Sequence, residues 1–251
     1  MLRFALVLTC LAAAQPFQQP PAATAPQTVP PAPPAAAPAI DSFEQRLASI
    51  DTRIALITDM RADFEQTRKT ALLKKPLISR GTLVCKNDRI LWHTTHPRES
   101  TMLVAGENVT VHYPADKLAE IYPMGARFKD AVGGPLPRLA KLRETFELSE
   151  LSPDKVVPGT DIGDTTTRLA IKLTPRTAAL RQYIDSVRVL IDTKVPCADR
   201  IVIVDPDGEE TQLYCFNLRI NTGVKDSELE LKLPPETKIN RPAGDSKAPA
   251  R

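Results

Sequence analysis

The chain has 251 residues, and its 33 Lys and Arg against 30 Asp and Glu give a net charge of +3. No basic cluster interleaves with aromatic residues, which argues against a nucleic-acid-binding protein. We expect one folded domain over residues 41–239, because β-rich domains of roughly 200 residues are commonly single.

The first 14 residues have the organisation of a secretory signal peptide. Arg3 supplies the positive region, Phe4–Leu11 the apolar core and Ala12–Ala14 the small residues for cleavage. The apolar run is about half of the roughly 20 residues that a transmembrane helix needs. The alternative is a lipoprotein signal with Cys10 as the lipidated residue, against which the short apolar core argues. We predict a cleavable signal peptide and a periplasmic protein.

Two segments are predicted to lie outside the packed domain. Residues 15–40 are rich in Pro and Ala and have no apolar period, so they cannot bury enough surface to offset their ordering entropy and should form an extended linker. Residues 240–251 are polar and are predicted to be a loose tail.

A helix is predicted over Ser42–Asp59. Ser42 is a candidate N-cap, and Gln45 stands three residues later, as in a capping box. One apolar stripe follows the helical period and should pack on the sheet: Phe43, Leu47, Ile50, Ile54 and Ile57.

Short alternating strands follow in quick succession. Asn87-Asp88 and Gly106-Glu107-Asn108 are turn sequences between neighbouring strands, which predicts an antiparallel meander. The predicted strands are Met60–Thr67, Ile78–Lys86, Arg89–Thr95, Thr101–Ala105, Val109–Tyr113 and Lys117–Tyr122.

The Gly133-Gly134-Pro135 sequence interrupts the meander, and Pro137–Leu148 then has a helical pattern. Leu136, Leu139, Leu142 and Phe146 would line one side of this segment. The segment is either a lid over the sheet or a plain connecting helix, and spacing alone does not separate the two.

The second half of the domain returns to strands. Asp205-Pro206-Asp207-Gly208 is a strong turn between two of them. The predicted strands are Thr167–Thr174, Val187–Asp192, Arg200–Val204, Thr211–Asn221 and Leu229–Leu233, with a helical turn near Thr177–Gln182. The fold class is therefore mainly β with some α: a single antiparallel sheet of about ten or more strands, which must curl.

The residues that could carry chemistry form no catalytic constellation. Ser149 and Ser152 have no nearby base and no nucleophile-elbow context. The three histidines, His93, His96 and His112, do not supply a ligand set with a second shell. We therefore predict neither an enzyme nor a bound metal or cofactor.

Three cysteines remain after the predicted signal peptide. Cys197 and Cys215 lie on or beside neighbouring strands of the last hairpin, so a disulfide between them depends on register. Cys85 fits a small buried apolar residue.

Apolar area is what remains as a functional feature. Alternation predicts an inward face carrying Leu83, Leu91, Leu103 and Val111, facing Leu136, Leu139 and Leu142. A register error of one residue would move a whole strand to the other face. The face is either filled by its own side chains, which gives an ordinary core, or partly empty, which gives a site for acyl chains.

The order of several short motifs resembles the LolA family of periplasmic lipoprotein carriers over most of residues 43–239. These are Ala62–Gln66, Gly81–Leu83, Leu91–Trp92, Pro97, Val104–Val109, Tyr113–Pro114, Asp205–Gly208 and Phe216–Asn221. The resemblance implies an unclosed β-barrel with a helical lid over a hydrophobic cavity. It also implies a monomer that takes lipoprotein acyl chains from an inner-membrane transporter to an outer-membrane acceptor, without a covalent step.

One departure from the family concerns the lid. Family members carry an Arg directly before the strand Trp, and that Arg holds the lid closed; here the position is Leu91. Arg89 and His93 lie two residues to either side of it, on the same face of an ideal strand. Either one replaces the lock, or the lock is absent.

Two other functions compete with a carrier. A lipoprotein-sensing or lipoprotein-binding module of the same fold would bind without transport. A secreted hydrolase would need a nucleophile with a base, which the sequence does not offer.

Overall fold

The computed structural model describes residues 42–71, 73–123, 136 and 138–242. The predicted signal peptide and linker, residues 243–251 of the predicted tail, the Gly133–Pro135 break and Pro137 lie outside these residues. Among the described helices, none is both long and apolar enough to cross a membrane.

The described elements have the following bounds. The strands are β1 Asp59–Lys69, β2 Leu77–Lys86, β3 Arg89–His96, β4 Ser100–Ala105, β5 Asn108–Tyr113, β6 Leu118–Pro123, β7 Phe146–Leu151, β8 Arg168–Pro175, β9 Ser186–Asp192, β10 Ala198–Val204, β11 Glu210–Ile220 and β12 Lys238–Asn240. The helices are α1 Phe43–Ile54, α2 Leu139–Thr145 and α3 Ala178–Arg181.

The strands form one 12-stranded sheet with the order β12-β6-β5-β4-β3-β2-β1-β11-β10-β9-β8-β7. All neighbours are antiparallel except β12 and β6, and the two edge strands β12 and β7 do not pair, so the sheet is not closed into a barrel. The predicted fold class is confirmed.

Helix α1 begins as the sequence predicts. The Ser42 side chain accepts a hydrogen bond from the Gln45 N–H, and the Gln45 side chain accepts one from the Ser42 N–H, which completes a capping box. The helix ends at Ile54 rather than at Asp59, because Asp59 already pairs with Lys86 as the first residue of β1.

Three predicted elements are corrected. The helix predicted over Pro137–Leu148 ends at Thr145, since Phe146–Leu151 pairs with β8 as an edge strand. No strand forms at Leu229–Leu233; a 3₁₀ turn at Asp226–Leu229 packs on β2 and β3 instead. Asn240, assigned to the tail, ends β12, which pairs in parallel with β6.

The helices divide one face of the sheet into two halves. We call the face on which α1 and α2 pack the inner face. In the C-terminal half, β7–β10, both helices close the inner face into one core. Its buried residues include Leu47, Ile50, Ile54, Leu139, Leu142, Leu169, Ile171, Leu173, Val189 and Ile191. In the N-terminal half, β1–β6, a separate cluster also takes in residues of β11, and no described residue of α1 or α2 belongs to it.

The outer face carries two coverings of its own. Val156 and Val157 pack on Ala170, Leu190 and Val202 of the C-terminal half. The chain that follows β11 covers β1 and β2, and three contacts hold it there. Lys86 donates to the Val224 carbonyl, Arg61 pairs with Glu228 at 2.6 Å, and Asp59 accepts from Thr222.

Candidate functional site

Strand register sets which side chains share the inner face of the N-terminal half. Ala62 pairs with Leu83, Leu83 with Trp92, Trp92 with Met102, and Met102 with Val111. These five apolar side chains therefore form one row across β1–β5, which we call the Trp92 row.

Exposure changes along the Trp92 row. Ala62 and Leu83 are 4% and 0% exposed, whereas Trp92, Met102 and Val111 are only partly buried. The neighbouring row from Met60 to Tyr122 is buried throughout. The inner face thus presents apolar surface at β3–β5 that the described residues do not fully cover.

Two of the predicted cavity residues are wrong. Leu83 and Val111 lie on the inner face, but Leu91 and Leu103 pair with each other on the outer face. The cause is the two-residue turn at Asn87-Asp88. It places Lys86 opposite Arg89 and so Leu83 opposite Trp92.

The predicted lid residues divide between the two halves. Leu139 and Leu142 are buried in the core of the C-terminal half, while Leu136 packs, partly buried, against the N-terminal half. Helix α2 is held to α1: the Asp51 carboxylate accepts from the Leu139 and Ala140 N–H groups at 2.8 Å each. Residues 139–145 thus form a connecting helix, and of the described lid candidates Leu136 alone packs against the N-terminal cluster.

The candidate lid-lock residues do not face α2. Arg89 and His93 lie on the outer face with Leu91, since their neighbours Ile90 and Trp92 point inward. His93 Nδ1 lies 3.1 Å from the Thr101 hydroxyl and its Nε2 lies 4.0 Å from Glu99. Of the two alternatives, this position on the outer face favours the absence of the lock over its replacement by Arg89 or His93.

Trp92 stands in the middle of its row, where packing fixes its ring. Its ring meets Phe64 edge to face, with centroids 5.0 Å apart. Gly81 lies beside this pair, where a Cβ would meet the His93 carbonyl oxygen at 1.9 Å, so only glycine allows the close approach of β2 and β3. The Trp92 Nε1–H is buried and finds no acceptor among the described residues.

A polar pair borders the row on β6. Glu120 stands opposite Val111, and the Tyr122 hydroxyl donates to it at 2.7 Å. Burial raises the pKa of Tyr122, as do its hydrogen bond to Glu120 and the Glu120 charge. Tyr122 therefore stays protonated at neutral pH and keeps this donor in place.

The cysteines supply no further chemistry. Cys85, Cys197 and Cys215 are free and buried, so the possible Cys197–Cys215 disulfide is absent from this structure. Burial raises the pKa of Cys197 and of Cys215 to about 12, which keeps both as unreactive thiols. Over the described ranges, no cluster of His, Cys, Asp and Glu could hold a metal ion.

Comparison with known proteins gives matches in structure and none in sequence families. No family model matches the chain, and no curated protein matches it significantly. An uncharacterized conserved protein from Thermus thermophilus matches with a TM-score of 0.46 and 14% identity, over 80% of this chain and 99% of that one.

Two further solved structures are similar to this chain. One is a putative outer membrane lipoprotein-sorting protein domain from Vibrio parahaemolyticus (TM-score 0.40, 15% identity, 74% of this chain and 97% of that one). The other is a LolA superfamily protein from Nitrosomonas europaea (TM-score 0.42, 12% identity, 75% and 97%).

Proposed function

We propose that the protein binds acyl chains of lipids or lipoproteins on the inner face of its N-terminal half and carries them through the periplasm. The observation that supports this is the partial exposure of Trp92, Met102 and Val111 beside a row that is otherwise buried. Soluble proteins seldom leave contiguous apolar side chains partly uncovered without a binding role.

The chemistry of this surface fits an acyl chain. Burying one CH₂ contributes about 0.8 kcal/mol, so a chain lying along the Trp92 row gains affinity without specific polar contacts. An acyl carrier needs no nucleophile, and burial raises the pKa of all three thiols that belong to the N-terminal cluster, those of Cys85, Cys197 and Cys215.

Export by the predicted signal peptide, an inner-membrane donor and an outer-membrane acceptor belong to the same proposal. They are supported by the sequence resemblance to the LolA family. The Pro/Ala-rich segment would then separate the domain from the processed N-terminus.

Mass spectrometry of the purified protein tests the ligand class, and acyl chains should co-purify in a stoichiometric amount. A matched pair of variants tests the site. Val111→Glu places a carboxylate on the inner face, whereas Thr110→Glu places one on the outer face of the same strand. Loss of co-purified lipid from the first variant alone supports the site, and equal loss from both contradicts it.

Depletion in the cell separates a carrier from a sensing module of the same fold. Mislocalised lipoproteins after depletion support transport. Normal sorting of lipoproteins in cells that lack the protein, together with acyl binding in vitro, would contradict transport and support the sensing module.

A further inference from the structure

A second cleft lies on the outer face of the sheet, away from the Trp92 row. It is formed where β1, β10 and β11 run side by side next to residues 157–160, and its volume is about 210 Å³. Its walls are mostly polar, in contrast to the apolar row on the inner face. Side chains of Glu65, Thr67, Thr160, Arg200, Gln212 and Tyr214 line it.

Arg200 is a cation that lines this cleft. Among the described residues it forms no salt bridge, and the adjacent Asp199 carboxylate interacts with it through charge alone. Its guanidinium lies 3.9 Å from the centroid of the Tyr214 ring, which fixes its plane by a cation–π contact. Two nearby arginines of the same face are neutralised: Arg80 pairs with Glu65, and Arg188 pairs with Glu210.

The Arg200 donors are free to bind a ligand. Over the part of the chain that the structure describes, no side chain or carbonyl accepts a hydrogen bond from its guanidinium. The adjacent Asp199 carboxylate is instead engaged by Arg168 at 2.5 Å. A half-buried, oriented guanidinium with unused N–H donors is suited to bidentate binding of an oxyanion.

The other polar walls of the cleft are compatible with an anion. The Glu65 carboxylate lies 2.8 Å from Arg80 Nε, so its charge is compensated at the rim. The hydroxyl groups of Thr67 and Thr160 can each donate to an oxygen of a bound group. Gln212 is already oriented by its bond to Glu210 at 3.0 Å.

We propose that this cleft binds a small phosphate- or carboxylate-bearing ligand, with Arg200 as its anchor. Because the cleft opens on the outer face, an acyl chain on the Trp92 row does not reach it. The ligand is therefore separate from the proposed cargo, and the cleft can be tested whether or not the protein carries acyl chains.

The test titrates the full mature chain with inorganic phosphate and, in a parallel experiment, with acetate. Amide chemical shifts measured by NMR report the binding. We expect saturable shifts at Thr67, Gln212 and Tyr214 with at least one of the two anions. Binding of phosphate alone identifies a phosphate site, and binding of both identifies a general oxyanion site.

Three variants assign the binding to Arg200. Arg200→Gln should weaken the affinity for the anion by at least about tenfold. Tyr214→Ala removes the ring beneath the guanidinium and should also weaken binding, so it serves as the check if Arg200→Gln folds poorly. Arg98→Gln removes an exposed arginine paired with Asp116 at 3.2 Å and should leave binding unchanged. Absence of saturation with both anions, or equal binding by wild type and Arg200→Gln, would overturn the proposal.

Discussion

The two halves of the inner face are built from the same alternating strands, yet among the described residues helices α1 and α2 pack on only one of them. In the C-terminal half, α1 and α2 complete a core in which Leu169, Ile171 and Ile191 are at most 1% exposed. In the N-terminal half, the Trp92 row is buried at Ala62 and Leu83 and partly exposed from Trp92 to Val111. Apolar alternation alone thus does not distinguish a core from a binding surface; the packing of a helix on the face does.

Truncation of one side chain in each half should show the largest difference. Ile171→Ala leaves a cavity in a closed core and should lower the free energy of unfolding by about 2–5 kcal/mol. Met102→Ala removes a partly exposed side chain and should cost about 1 kcal/mol or less. Urea unfolding of both variants measures the difference, and equal losses would show that the two halves are equally packed.

The outer covering of the N-terminal half gives a pH-dependent prediction. Burial by itself would raise the pKa of Asp59, but hydrogen bonds from the Thr222 hydroxyl and N–H, the Gly223 N–H and the Thr58 hydroxyl outweigh it and lower the pKa below the ordinary value. A lowered pKa stabilises the fold above the unfolded pKa, and this contribution is lost as the pH falls through the folded pKa.

Asp59→Asn should therefore lower the free energy of unfolding by about 1–3 kcal/mol at neutral pH. The difference in the free energy of unfolding between this variant and wild type should become smaller below about pH 4. Unfolding curves recorded between neutral and acid pH measure this difference in the free energy of unfolding. The control is Asp207→Asn, a substitution at an exposed turn residue. A gap that stays constant down to acid pH would contradict the role assigned to Asp59.

The smallest effect is expected at the position where the chain departs from the LolA family. Leu91 lies on the outer face, so an arginine there cannot reach α2 across the sheet. Leu91→Arg should leave the release rate of a bound acyl probe unchanged, as measured by stopped-flow transfer to vesicles. Slower release would place residue 91 at the lid and would contradict the register of β3.

Much of the fold could be predicted from the sequence, because its signals are local. The Ser42–Gln45 capping box, the alternation of each hairpin strand and the Asp205–Gly208 turn each act within a few residues. The path after β11 could not be predicted in this way. Leu229, Leu231 and Leu233 alternate like a strand, but Asp59 and Lys86, more than a hundred residues earlier in the chain, hold this segment on the outer face.

The site was half predictable. Alternation predicts the face of Leu83 and Val111, but it sets Leu91 and Leu103 one residue out of register and does not select Trp92 and Met102. The signal for the correct register was present in the two-residue Asn87-Asp88 turn, which sets Lys86 opposite Arg89 and Trp92 opposite Leu83. The sequence does not single out the half-buried Arg200, because the ring that orients its guanidinium belongs to Tyr214 on the neighbouring strand.

Trp92 permits the most direct test of the central claim, since it is the single tryptophan of the chain. A fatty acid brominated along its chain quenches tryptophan fluorescence only at contact distance. We predict saturable quenching of Trp92 that is abolished by Val111→Glu and retained by Thr110→Glu. Saturable binding of the fatty acid without quenching of Trp92 would show that the acyl chain lies elsewhere and would contradict the proposed site.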